Sequence, residues 1–149
     1  MPLIRLQIPG SLEFRDLAIR VVAAACKLVI GGDAADRASF DDQVISAFGE
    51  AFNNAAIHSY RGRPLGNVDI EIDVAGDRIT LRIADYGQSF DPTKVEAPDL
   101  DSLPESGMGL YIMRSFMDSV LYTAGAPNVL SMTKHLVAAG CTSEGEGAR

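Results

Sequence analysis

Basic residues are scarce in this chain. Thirteen lysines and arginines stand against twenty acids in 149 residues, a formal net charge of −7 and a pI near 4.7. That balance excludes holding nucleic acid by phosphate neutralisation. It does not exclude a bound nucleotide, because backbone amides cradle phosphates without net positive charge. Cysteine is scarce too. Cys26 lies in an apolar run and Cys141 in a polar tail. They offer neither a disulfide framework nor a zinc site, and a reducing cytosol is the simplest compartment. No apolar run approaches the length of a membrane span. The opening Met1-Pro2-Leu3-Ile4-Arg5 lacks the basic-then-apolar layout of a signal peptide. No internal repeat is visible. The expectation is one soluble cytoplasmic domain over residues 1–140, followed by a flexible tail at 141–149.

Apolar residues make up 47% and charged residues 22%, which is enough for a globular core. At this length folding buries roughly 68–70% of the surface of an extended chain, without help from disulfides or metal. Ile4, Leu6 and Ile8 alternate with Arg5 and Gln7 and predict a strand ended by Pro9-Gly10. Ser11 is the expected N-cap of a first helix reaching about Gly31-Gly32, with Phe14, Leu17, Val21, Ala24/Ala25 and Leu28 inward. Ser39 and Asp42 form a weak capping signal for a second helix to about Tyr60, whose core stripe is Val44, Phe48, Ala51, Phe52 and Ala55. Val68, Ile70, Ile72 and Val74 alternate with acids, and after Gly76-Asp77 so do Ile79, Leu81 and Ile83 with Arg78, Thr80 and Arg82. This predicts an antiparallel hairpin with one buried face, acids meeting arginines on the other. Tyr86–Ser106 is aperiodic, the length and composition of a functional lid. A helix over about Met108–Asp118 follows, with Leu110, Met113 and Phe116/Met117 inward, then strands at Val120–Thr123 and Val129–Thr133. The order predicts an α+β fold, a mostly antiparallel sheet covered on one face by helices.

Three segments break these patterns. Glu50 and Asn54 are one helical turn apart and flank the apolar stripe. Together they suit a divalent cation, and the carboxylate alone suits a proton taken from a hydroxyl. Taken alone, ordinary polar residues at the edge of a helix explain them better. Asp85 in Asp85-Tyr86-Gly87-Gln88-Ser89 ends a strand on its buried side, where a carboxylate needs a partner such as the exocyclic amine of adenine. A turn-forming Asp-x-Gly is the plainer alternative. Gly107-Met108-Gly109-Leu110 opens a helix, where glycines let amides approach phosphates, although helix entries use glycine anyway.

The combination is far more specific than its parts. In this order the segments resemble the N, G1 and G2 boxes of the GHKL, or Bergerat-fold, ATPases. The resemblance is closest to the bacterial anti-sigma-factor serine/threonine kinases. Glu50–Tyr60 is similar to that family's Glu-Ala-x-x-Asn-Ala-x-x-His-x-Tyr stretch, and Gly107–Val120 to its Gly-x-Gly-Leu … Met-Asp-x-Val stretch. The element order fits from about Pro9 to Leu136.

The resemblance implies a two-layer α/β sandwich holding ATP and Mg²⁺. It implies that Asn54 coordinates Mg²⁺, that Asp85 binds the adenine amine, and that Gly87 shapes the turn below the base. Gly107, Met108, Gly109 and Leu110 would bring the backbone to the phosphates, and Glu50 would be the general base. Two positions depart from the family pattern. Ser89 replaces the second glycine of the G1 box, and Pro127-Asn128 stands where Gly-Thr is usual, leaving Asn128 to hydrogen-bond in place of threonine. Glu50 and Asn54 are intact, as an active kinase requires. The implied partners are a sigma factor and an anti-anti-sigma antagonist protein, the phosphorylation substrate, with a homodimer also open. The rivals are a non-catalytic, nucleotide-gated binding module of the same fold and a detached histidine-kinase ATPase domain.

His58 reads better as a helix-end or pocket-rim residue than as a phospho-acceptor, since no dimerising helical hairpin precedes it. Met108, Met113 and Met117 read as core. Arg20 lies on the solvent side of the first helix, in a region that the resemblance assigns to partner binding and that an ordinary surface arginine would fill equally well.

Overall fold

A computed structural model describes residues 3–59, 66–89 and 105–137. The order of elements is β1 (Leu3–Pro9), a 3-10 turn (Leu12–Phe14), α1 (Arg15–Cys26), α2 (Ala34–Asn54), a π turn (Ala55–Ser59), β2 (Asn67–Ala75), β3 (Arg78–Asp85), α3 (Glu105–Phe116), β4 (Ser119–Thr123) and β5 (Asn128–His135). Among the described residues the sheet has five strands in the order β1-β2-β3-β5-β4. All four pairings are antiparallel. The architecture is the expected α+β one.

The β2–β3 hairpin folds as its alternation dictates. Val68, Ile70, Ile72 and Val74 on β2 are buried, as are Ile79, Leu81 and Ile83 on β3. Gly76 takes the left-handed φ of +59° at the first of the two turn residues, the conformation a tight hairpin asks of glycine. On the outer face Glu71 lies opposite Arg82 and opposite Arg5 of β1, and it pairs with both, at 3.8 and 3.5 Å. Asp69 faces Ala84 instead and takes hydrogen bonds from Gln7 and Tyr86.

The helices depart from expectation at their ends. Ser11 caps the 3-10 turn that leads into α1, accepting from the Glu13 amide, whereas the N-cap of α1 itself is Phe14, which makes no side-chain cap bond, and the helix stops at Cys26 rather than near Gly31. The segment beyond has better partners outside a helix. The Arg37 guanidinium donates to the carbonyls of Lys27, Val29 and Gly31, and the Ile30 amide donates to the Gly76 carbonyl. The inward face of α1 is also offset. Ala18, Val22, Ala25 and Cys26 are buried, whereas Leu17 and Leu28 are 48% and 49% exposed. Small residues let the helix lie close against its neighbours, and the larger leucines turn outward. Burial first, and then nearby Asp41, pushes the Cys26 thiol up to about 12, so this cysteine packs and does not react.

Helix α2 begins at Ala34, not after Ser39. Asp33 is the N-cap, and a reciprocal pair of hydrogen bonds with Asp36 completes a capping box. The predicted core stripe of α2 is buried in full, with Phe48 and Phe52 in ring contact. Helix α3 starts at Glu105 and ends at Phe116, where the Lys134 ammonium caps the terminal carbonyl, so Met117 and Asp118 lie beyond it. Strand β4 opens one residue earlier than expected, and β5 runs on to His135. Most of the expected lid, residues 90–104, and the tail at 141–149 lie outside the described residues.

Candidate nucleotide site

The residues singled out fall in two clusters, one where α2 meets the first turns of α3 and one at the facing ends of β3 and β5. Glu50 and Asn54 are both half-buried on α2. The turn of α2 that carries Glu50 is tied to α1, since Arg15 Nε donates to the Gly49 carbonyl at 3.4 Å. A β-carbon at Gly49 would meet the Arg15 guanidinium, which would have to shift to make room for it. Immediately after Asn54 the helix widens into the π turn of Ala55–Ser59, a distortion that often accompanies functional sites and that nothing in the sequence pattern announces.

Helix α3 packs against α2 and brings Gly109 to Glu50. A β-carbon on Gly109 would stand 3.0 Å from Glu50 Oε2. Among the described residues no lysine or arginine pairs with Glu50. The half-buried carboxylate therefore sits beside the start of α3 with no cation among the described residues to neutralise it. Gly107 lies in the first turn of α3, where backbone N–H groups have no partner inside the helix. Met108 is half-buried, while Gly109 and Leu110 are buried.

Asp85 points to the buried side of the sheet, as alternation predicts, and is 5% exposed. Its Oδ1 accepts from the Gly87 amide at 3.0 Å, the short turn expected of Asp-x-Gly. Directly across the ladder stands Asn128, which is fully buried. Asn128 Nδ2 donates to Asp85 Oδ1 and to the Gly87 carbonyl, both at 3.0 Å. Asn128 Oδ1 accepts from the Ser89 hydroxyl at 2.7 Å and from the Gly125 amide at 2.9 Å. The two departures from the family pattern, Ser89 and Asn128, are thus bonded to each other. Nothing local in the sequence links them, and their joint departure from the family pattern is the one signal of the bond. The side chain of His58 lies outside the described residues.

The donor set suits a magnesium nucleotide. Among the described residues no group of three or more His, Cys, Asp or Glu side chains could hold a metal alone. A single carboxamide oxygen at Asn54 fits Mg²⁺, which keeps waters and takes most of its remaining ligands from phosphates. Asp85 Oδ2 accepts no hydrogen bond among the described residues, and that oxygen fits an amine donor.

Residues 11–134 match the family described as Histidine kinase-like ATPase domain. The serine-protein kinase RsbW of Bacillus licheniformis is 35% identical over 108 residues, 66% of this chain and 68% of the relative. RsbW of Bacillus subtilis (strain 168) is 35% identical over 98 residues, 60% of this chain and 61% of the relative. RsbW of Staphylococcus epidermidis is 30% identical over 144 residues, covering 89% of this chain and 86% of the relative. No helix among the described residues is long and apolar enough to cross a membrane.

Proposed function

From the premise that this chain belongs to the histidine kinase-like ATPase domain family, we propose that it is an ATP-dependent serine/threonine protein kinase and an anti-sigma factor. Its relatives bear the name serine-protein kinase. The observation that carries the catalytic half is the Glu50 carboxylate, half-buried, unpaired among the described residues and set against the opening turns of α3.

Each residue has a separate task. Asp85 orients the nucleotide by accepting from the exocyclic amine of adenine. Gly87 holds the turn beneath it. The first-turn amides of α3, with that of Gly107 among them and no partner inside the helix, receive the phosphates with the favourable end of the helix dipole. Asn54 Oδ1 would hold Mg²⁺, which would supply charge neutralisation on the transferred group. Glu50 accepts the proton of the substrate serine or threonine hydroxyl as its oxygen bonds to the γ-phosphorus and the bond to the β–γ bridging oxygen breaks. Phosphoryl transfer asks mainly for positioning and charge stabilisation, so this short set of groups suffices.

The proposed protein substrate is an unphosphorylated anti-anti-sigma antagonist, and the proposed regulatory partner is a sigma factor. We place protein contact on the outward face of α1 and the turn that follows it, which carry exposed Leu17 and Leu28 with Arg20, itself paired with Asp16 at 2.8 Å. Pairing of two copies belongs to the same proposal.

The test is incubation of the purified chain with γ-labelled Mg-ATP and its antagonist protein. Label on a serine or threonine of the antagonist supports the kinase. Label on histidine, or stable partner binding without any transfer, overturns it, the latter in favour of a nucleotide-gated binding module.

A further inference from the structure

Asn128 occupies the position facing Asp85, yet it has nothing left to offer a nucleobase. A carboxamide carries two N–H donors and two acceptor lone pairs. Both donors of Asn128 are used, on Asp85 Oδ1 and the Gly87 carbonyl. Both lone pairs are used, by the Ser89 hydroxyl and the Gly125 amide. The orientation of the amide follows from chemistry, since Nδ2 faces two acceptors and Oδ1 faces two donors. Asp85 Oδ1 accepts from both Gly87 and Asn128, while Oδ2 accepts from no described residue.

We infer that Asn128 and Ser89 are positioning residues for nucleobase selection. Asn128 touches no base. It locks the Asp85 carboxylate in one rotamer with Oδ2 left unbonded among the described residues, and Ser89 locks Asn128. The consequence is selection of a purine bearing an amine at position 6 over one bearing a carbonyl, because the fixed oxygen attracts the first and repels the second. An Asp85 free to turn would present either oxygen, or a tilted one, and the preference would shrink. The inference rests on the proposal that this site binds ATP.

The experiment measures the equilibrium affinities of Mg-ATP and Mg-GTP for the full chain by calorimetry. The variants are Asn128→Ala, Ser89→Ala, Asp85→Ala and the Asn128→Ala/Asp85→Ala double. The native protein should favour ATP. Asn128→Ala should weaken ATP binding about tenfold, the scale of one buried hydrogen bond to a charged group, and weaken GTP much less. In the Asp85→Ala background the same change should have almost no effect on ATP, because Asn128 acts only through Asp85. Ser89 is exposed, so Ser89→Ala preserves the fold. It should lower the ATP-to-GTP ratio by a few-fold and carries the test if melting shows that Asn128→Ala does not fold.

An undiminished effect of Asn128→Ala without Asp85 would mean that Asn128 contacts the nucleotide itself. Equal losses for ATP and GTP, or an unchanged ratio in Ser89→Ala, would mean a merely structural network. Each result overturns the inference while leaving the ATP site standing. Failure of the native protein to bind either nucleotide would remove the site and the inference together.

Discussion

Gly109 on α3 stands so close to Glu50 on α2 that a β-carbon there would lie 3.0 Å from Glu50 Oε2, 3.6 Å from its Cβ and 3.8 Å from its Cδ. The second glycine of the helix-opening motif therefore makes room for the proposed base. It is the fifth residue of α3, and a helix begins to bond its own amides internally at that point.

Gly109→Ala should separate fold from chemistry. Alanine is the better helix former by roughly 0.5–1 kcal/mol, so melting should not fall. The flexible carboxylate must give by a few tenths of an ångström, and since a displacement of about 1 Å costs up to about a hundredfold in rate, this smaller shift should cost several-fold. Transfer at saturating ATP should therefore drop about several-fold with an unchanged or higher Tm. A native rate would mean that Glu50 does not need its present place.

The start of α2 distinguishes two caps. Asp33 Oδ1 accepts from the Asp36 amide at 2.9 Å and Asp36 Oδ2 from the Asp33 amide at 3.0 Å. Asp33→Ala should cost about 1 kcal/mol, or roughly 2–4 °C in Tm. Ser39, exposed within the helix, should tolerate alanine within about 0.5 kcal/mol. The reverse order in thermal melts would restore the later start.

Much of the fold and site was legible because alternation and helical spacing are strong where one face is buried and the other is charged. The β2–β3 register, the α2 stripe and the inward aim of Asp85 follow from that contrast. The α1 face was misread because both sides of that helix carry apolar residues, so spacing alone could not choose Ala18 and Val22 over Leu17 and Val21. The early end of α1 depends on Arg37, eight residues beyond Val29, and no local signal reveals that bond. The Asn128 network is equally non-local, because Ser89 and Asn128 meet only once the sheet has formed.

Acid should loosen the junction between α3 and β5. Partial burial works to raise the pKa of Asp118, but hydrogen bonds from the His135 amide and ring, with Lys134 nearby, outweigh it and hold the carboxyl below its usual range. A depressed carboxyl contributes stability that is present above its unfolded pKa, about 3.9, and is lost as pH falls through the lower folded value. The Asp118 side chain is 50% exposed, so the effect is small. In melts between about pH 5 and pH 2, Asp118→Asn should lose less Tm than the native protein, by about a degree or two. A steeper loss in the variant would contradict the assignment.

The central claim is that Glu50 performs chemistry and does not hold the nucleotide. The most direct measurement is a paired one on Glu50→Ala, with Mg-ATP affinity by calorimetry and phosphate transfer to the antagonist protein in the same preparation. Near-native affinity is expected, with transfer reduced roughly 10²–10⁴-fold, the usual contribution of a general base. Transfer at the native rate would contradict it.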